Sequence, residues 1–147
     1  MMPKYFTLQE LCKSNVANTY RIDNTPDFIQ VDHLKELVDK VLDPLRVAWG
    51  RPIFVTSGFR CKKLNSHSAV GGSSTSAHLT GYAADLIPSN VKIDEFILFA
   101  KNWADKNHIA YDQMIDECDK KGNHWLHIGL YNNAGQQRRQ FFKMTKK

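Results

Sequence analysis

The amino-acid sequence predicts an α+β fold in which an antiparallel sheet has helices packed on one face. Two long segments, residues 29–49 and 93–104, carry apolar residues at helical spacing. Short β-prone segments lie between and after them, and two of these are joined by a turn, as in a hairpin. At 147 residues and 42% hydrophobic, the chain is long enough for one domain, residues 1–147, with its own core.

The first half of the chain supplies most of the predicted helix. Thr7-Leu8-Gln9-Glu10 has the pattern of a capping box and should open a short helix. Residues 15–27 are polar and turn-rich. Pro44 lies inside the first long helix and should kink or restart it, because proline lacks the amide hydrogen that a helix interior uses.

The second half supplies most of the sheet. Residues 52–57 are short, apolar and β-prone, which indicates a buried strand that ends at Gly58. Gly122 marks the turn of the hairpin. The remaining expected elements are a helical turn in residues 60–68, a loop at 71–76, a strand at 82–87, hairpin strands at 111–117 and 124–130, and a basic edge strand at 138–144.

Charge and cysteine content limit the possible partners and location. The formal net charge of +5 favours anionic partners, including cell-wall polymers, nucleic acid and membrane surfaces. Three widely spaced cysteines argue against a disulfide framework. The first seven residues lack the apolar core of a signal peptide, and no stretch has transmembrane length. We therefore expect synthesis in the cytoplasm without a signal peptide.

Two histidines and one aspartate are the candidate metal ligands. His78 and Asp85 lie near the start of the strand predicted at residues 82–87, and His127 lies in the second hairpin strand. Catalytic zinc sites use three histidine or carboxylate ligands and leave a position for water, whereas structural sites are usually closed and rich in cysteine. Spacing alone does not separate this trio from a chance arrangement.

The trio is embedded in a longer ordered pattern. Ser57-Gly58-Phe59-Arg60, Leu64-Asn65, Gly71-Gly72, the segment from Ser76 through His78 to Asp85, and Trp125-Leu126-His127 occur in that order. Together they resemble the signature of the M15 zinc peptidases, which are D-alanyl-D-alanine carboxypeptidases and dipeptidases and L-alanyl-D-glutamate endopeptidases of peptidoglycan. The resemblance extends to Tyr5-Phe6-Thr7-Leu8-Gln9-Glu10-Leu11, Asp112-Gln113-Met114-Ile115 and Arg138-Arg139-Gln140, so it covers nearly the whole chain.

This resemblance implies both a fold and an activity. The chain is similar to the small single-domain branch, common in phages and prophages, whose fold is shared with the hedgehog signalling domain. It implies that Zn²⁺ is held by His78, Asp85 and His127, and that the substrate is a peptidoglycan stem peptide. We accordingly expect a monomer that acts at the cell wall in phage lysis or in a virion, without nucleic-acid partners and without membrane insertion.

The resemblance leaves the proton carrier open among three residues. Many relatives place an acid three residues before the last histidine, and here that position is His124. In the small branch, the matching acid falls on Glu117, with Asp116 beside it. Neighbouring strand residues point to opposite faces, so Glu117 shares a face with His127 only if it lies across from Trp125. We expect Glu117 to be the catalytic base.

Four further residues have expected roles by resemblance. Arg60 resembles the family arginine that binds substrate or stabilises charge developing on the carbonyl oxygen. Ser76 and Asn65 are expected to contact substrate, although Ser76 can instead cap the segment before His78, and Asn65 can instead stabilise its loop. Trp125 is expected in the wall of the substrate cleft.

Two alternatives to an enzyme remain. Hedgehog-like relatives show that the fold can keep zinc and serve recognition, so a non-hydrolytic zinc-containing module that binds the cell wall is the main alternative. The other is a virion structural component with vestigial activity. His124 occupies the position where many relatives have the catalytic acid, and this departure supports the two alternatives.

Overall fold

A computed structural model of the protein describes residues 4–146 and shows an α+β architecture built on one five-stranded sheet. The strands lie in the order β1-β2-β4-β3-β5. Their bounds are Ile53–Ser57 for β1, Ala83–Pro88 for β2, Gln113–Asp119 for β3, His124–Gly129 for β4 and Gln140–Lys146 for β5.

The predicted antiparallel sheet needs one correction, because β5 pairs with β3 in parallel, so that the sheet is mixed. The other three neighbouring pairs are antiparallel. Strand β4 runs antiparallel to β3 and therefore ends where β3 begins. The chain then crosses that end of β3, where Arg138 donates two hydrogen bonds to the Asp112 carboxylate, at 2.7 and 2.9 Å. Strand β5 thus starts beside the start of β3 and runs in the same direction.

Helices cover one face of the sheet. The longest is α6, Ile93–Lys106, as predicted from its apolar spacing. Buried residues of the helices join alternating residues of the sheet in one core, which leaves the residues between them on the opposite face. The buried sheet residues in this core are Ile53, Ala84, Leu86, Met114, Leu126 and Ile128.

The first long helix is interrupted where Pro44 predicts a restart. Helix α3, Phe28–Leu37, continues into a π-helical turn, Val38–Leu42, and then into α4, Asp43–Trp49. Pro44 lies in the first turn of α4, where its missing amide hydrogen costs little. The restart therefore keeps the apolar side of both helices on the core.

Three short helices precede or connect the strands. Helix α1, Leu8–Cys12, begins at Thr7, whose hydroxyl accepts a hydrogen bond from the Glu10 amide, as predicted. Helix α2, Asn15–Thr19, was not predicted within the turn-rich residues 15–27. Helix α5, Lys62–Ser66, corresponds to the helical turn expected in residues 60–68. Within residues 4–146, no helix is long and apolar enough to cross a membrane.

Candidate metal centre and adjoining cleft

Three separate elements bring His78, Asp85 and His127 together. Asp85 on β2 and His127 on β4 lie directly across from each other in the antiparallel register. His78 lies in the short 3-10 turn Ala77–Leu79 that precedes β2. Asp85 Oδ1 is 3.2 Å from His78 Nε2 and 3.0 Å from His127 Nδ1. All three residues are buried, on the face of the sheet opposite the helices.

The imidazole of His78 is oriented by backbone. Its Nδ1 lies 2.6 Å from the carbonyl oxygen of Gly58, which can only accept, so Nδ1 carries the hydrogen and donates it. In the neutral ring, the lone pair of Nε2 then points toward Asp85 and His127. A hydrogen bond of this kind fixes the tautomer and ring orientation of metal-ligating histidines.

Burial and mutual charge set the ionisation of the trio. Burial lowers the pKa of His78, and Arg60 and His127 lower it further, against the opposing effect of Asp85. Burial alone would raise the pKa of Asp85, but the charge and hydrogen bonds that His78 and His127 supply when protonated bring it well below its ordinary value. A neutral histidine beside an ionised aspartate is the state in which these side chains bind a cation.

The donor set suits a divalent metal. Tetrahedral zinc with ligands at about 2.0–2.1 Å requires ligand atoms roughly 3.3–3.5 Å apart. The separations of 3.0 and 3.2 Å around Asp85 Oδ1 need only small outward shifts to reach this spacing. Two imidazoles and one carboxylate leave a coordination position for water, which is the pattern of a hydrolytic site.

The register of the hairpin places Glu117 on the same face as the trio. Glu117 lies across from Trp125, and Ile115 lies across from His127. Burial raises the pKa of Glu117, and the nearby charge of Asp85 raises it further, while His127 and Lys146 lower it. A buried carboxylate with a raised pKa, beside a metal-binding trio, is suited to accept and return a proton.

Asp116 and His124 lie on the other face. Their side chains are hydrogen bonded, with His124 Nε2 2.5 Å from Asp116 Oδ1. On its other side, His124 Nδ1 lies 4.0 Å from Asp94 Oδ1. The pair therefore faces α6 rather than the trio, and of the three candidate proton carriers, Glu117 has the most suitable position.

The charge of Arg60 interacts both with Asp85 of the trio and with Glu117. Burial lowers the pKa of its guanidinium, and the charges of Asp85 and Glu117 oppose this effect. Its buried Nε has no hydrogen-bond partner within residues 4–146. A buried donor without an acceptor carries a free-energy cost, which a bound anionic group would remove.

The sequence left two roles open for Ser76 and Asn65, which were contact with substrate or stabilisation of the loop before β2. The hydroxyl of Ser76 accepts a hydrogen bond from the His78 amide at 3.2 Å, so Ser76 caps the turn that carries this ligand. Asn65 is buried and donates to the Ser73 carbonyl at 2.8 Å. Both contacts stabilise the loop before β2.

A cavity of about 460 Å³ adjoins the trio. Asp85, Arg60 and Trp125 line it, which agrees with the expected position of Trp125 in a cleft wall. Lys13 and Lys146 also line the cavity, and sequence analysis gave neither of them a role in the site. They come from opposite ends of the chain, and no motif connects them with the ligands.

The α+β fold thus brings together a buried trio that could hold a metal ion, next to a cavity. A sequence model described as peptidase M15 matches residues 4–117, which is more than half of the chain, and the protein therefore belongs to this family. The match includes His78 and Asp85 but ends before β4, so the position of His127 comes from the strand pairing. No curated protein matches the chain.

Proposed function

We propose that the protein is a zinc-dependent metallopeptidase that hydrolyses peptide bonds in peptidoglycan stem peptides. One observation carries the proposal: the buried trio of His78, Asp85 and His127 adjoins a cavity and shares a sheet face with Glu117. Membership of the M15 peptidase family supports hydrolysis of a peptide bond.

His78, Asp85 and His127 would hold the zinc ion. The ion, when bound, supplies Lewis-acid polarisation and lowers the pKa of a water molecule toward neutrality. Asp85 contributes the only anionic ligand of the trio, and the Gly58 carbonyl keeps His78 in the ligating orientation. The remaining chemistry requires proton transfer and charge stabilisation by the chain itself.

Glu117 would act as general base and then as general acid. Its carboxylate takes a proton from the attacking water and returns it to the amine that leaves. The raised pKa of Glu117 favours the first step, because the carboxylate of a weaker acid accepts a proton from water more readily. The protonated carboxyl group is still acidic enough to donate this proton to an amine. Glu117 therefore performs both transfers from one position.

Arg60 would stabilise the negative charge that develops on the carbonyl oxygen. Guanidinium offers several donors in a rigid fork, and charge-assisted bonds to oxyanions are stronger than neutral ones. The unpartnered Nε of Arg60 is consistent with a donor held ready for such a group.

Hydrolysis of purified peptidoglycan tests the proposal. The zinc-loaded wild type should release new amines, Glu117→Gln should lose at least about a hundredfold in rate, and chelation should abolish the activity. Asp116→Asn is the matched control, since its side chain faces away from the trio, and it should retain most activity. Zinc-loaded wild type that releases no fragment would favour the non-hydrolytic alternatives.

Metal content tests the ligand assignment without reference to activity. The wild type should contain about one zinc per chain, because three buried ligands form one site. His78→Ala should lose this zinc, whereas His67→Ala should keep it. His67 is a suitable control because its ring packs at an angle against Tyr20 and accepts a hydrogen bond from the Ala69 amide, and it is not part of the trio. Equal zinc loss in both variants would contradict the assignment.

We further propose that the protein acts on the cell wall as a monomer. The basic net charge of +5 suits an anionic wall polymer. The partner in this proposal is the stem peptide itself, bound in the cavity beside Asp85.

A further inference from the structure

A second cavity, of about 350 Å³, is lined by helix α3, by the segment before β2 and by the segment after β4. Its volume is at the small end of the range for ligand-binding cavities. Three aromatic rings and several hydrogen-bonding groups form its wall. The lining residues that bear on a ligand are His33, Glu36, Tyr82, Tyr131 and Asn133. None of them takes part in the proposed hydrolysis.

The aromatic rings of the second cavity are held against one another. His33 and Tyr82 stack with their ring centroids 4.0 Å apart, and Tyr131 meets the Tyr82 ring at an angle of 61° and a centroid distance of 5.0 Å. A wall that is already ordered loses little conformational entropy when a ligand binds. The face of an aromatic ring carries partial negative charge, so it packs well against C–H groups, whose hydrogens are slightly positive.

The charges around the second cavity are already balanced. One oxygen of the Glu36 carboxylate accepts a hydrogen bond from the Tyr82 hydroxyl at 2.7 Å, and the other lies 2.5 Å from Nζ of Lys40. Within residues 4–146, Glu36 is the only carboxylate in the lining, and the lining contains no lysine or arginine. The second cavity therefore favours a neutral ligand over an ion.

Polar atoms of the lining remain free for a neutral ligand. His33 Nδ1 donates a hydrogen bond to the Thr80 carbonyl oxygen at 2.7 Å, so Nε2 of the neutral ring is an acceptor. Asn133 is exposed, and its amide makes one long contact, 3.4 Å, with the Thr75 carbonyl oxygen. Hydroxyl groups can bond to both side chains, while C–H groups pack against the rings. A sugar carries both kinds of group on one molecule.

The second cavity lies close to the trio. A Cβ at Gly129 would be 3.7 Å from Nε2 of His127 and 3.9 Å from the carbonyl oxygen of Tyr82. The backbone of Tyr82 therefore lies beside the trio, while Tyr82 also lines the second cavity. Stem peptides are joined through an amide to N-acetylated sugars of the glycan strand. A peptide held at the trio thus brings neutral sugars near the second cavity.

We propose that the second cavity is a glycan subsite, in which Tyr82 and Tyr131 pack against a neutral N-acetylated sugar while His33 and Asn133 bond to its hydroxyl or acetamido groups. The choice of peptidoglycan as the polymer rests on the proposed function. The subsite holds the polymer at a second point and so raises the effective concentration of the stem peptide at the trio.

Binding of a sugar chain without stem peptides tests the subsite directly. The probe is the neutral tetramer of β-1,4-linked N-acetylglucosamine. On adding it to wild type, the NMR signals of the His33 imidazole should shift, whereas those of His67 should not. His67 is a matched control because it also packs against a tyrosine, Tyr20, at 4.2 Å between centroids, but does not line the second cavity. Unchanged His33 signals at the highest soluble probe concentration would overturn the subsite.

A tyrosine variant assigns the binding to the aromatic wall. Tyr131→Ala should weaken binding of the tetramer about tenfold, as expected for the loss of one aromatic contact. Tyr20→Ala is the matched control, since Tyr20 is 54% exposed and lies outside the lining, and it should bind the tetramer as wild type does. Equal affinity of Tyr131→Ala and wild type would contradict the proposal.

Hydrolysis measures what the subsite contributes to the reaction. Tyr131→Ala should lose about tenfold more activity on intact peptidoglycan than on a soluble stem peptide, because only the polymer reaches both sites. Equal losses on the two substrates would indicate a distorted trio and count against the subsite.

The two assays separate this inference from the proposed function. Binding of the tetramer by a wild type that cleaves no peptidoglycan would refute the peptidase and keep the subsite. Cleavage by a wild type that does not bind the tetramer would do the opposite, and absence of both would refute both.

Discussion

Replacing Gly58 by alanine should destabilise the protein and weaken its metal site together. A Cβ at this position would lie 2.1 Å from the carbonyl oxygen of Leu11, which is backbone and cannot rotate away. That oxygen accepts a hydrogen bond of 2.7 Å from the Phe59 amide, so the two segments must separate by about an ångström and lose the bond.

The magnitude follows from these two effects. Overpacking of this kind costs about 1–3 kcal/mol, and a lost backbone hydrogen bond adds about 1 kcal/mol. A total near 3 kcal/mol lowers the melting temperature of a chain of this size by roughly 6–12 °C. The Gly58 carbonyl also orients His78, and displacement of such a contact weakens metal affinity by about 10- to 100-fold.

Thermal unfolding of metal-free protein and a competitive zinc titration measure the two effects separately. Gly129→Ala is the control for thermal unfolding alone, because its Cβ would meet neighbouring atoms only at ordinary contact distances of 3.7–3.9 Å, the nearest of them being Nε2 of the ligand His127. A Gly58→Ala protein that melts within about 2 °C of wild type and binds zinc equally well would refute the reasoning.

Three further predictions concern charge and metal. Glu117→Gln should stabilise metal-free protein at neutral pH, because the raised pKa of Glu117 means that folding disfavours its charged form. This gain in stability should shrink as the pH falls through the pKa of Glu117, and thermal melts from pH 7 to pH 4 measure it. Asp112→Asn should cost about 2 kcal/mol in urea unfolding, since it weakens the partly exposed pair with Arg138, and an equal midpoint would contradict this. Zinc should raise the melting temperature of wild type in proportion to the logarithm of its concentration, and His127→Ala should remove this dependence.

Sequence patterns predicted the five strands and most helices, because these elements depend on local periodicity. Pro44 indicated the restart of the long helix, and the apolar spacing of α6 gave its extent. Helix α2 was missed because its formation depends on the Ser14 cap and a small satellite core around Ala17, rather than on a long apolar face.

The metal ligands were predictable, whereas the arrangement around them was not. A six-residue connection does not determine which residue of β3 faces the trio; in the structure, Asp119 fixes the register through its hydrogen bonds with Asn123. The parallel course of β5 depends on contact between Asp112 and Arg138, which are 26 residues apart. Lys146 reaches the cavity only as a result of that course.

The pairing of Asp85 with His127 has a kinetic consequence. These two ligands are 42 residues apart and become neighbours only when β4 pairs with β2. A chain that has not yet paired these strands offers no site for the ion. Interactions formed late in folding stabilise the native state without stabilising the transition state, so the metal should slow unfolding and leave the folding rate nearly unchanged.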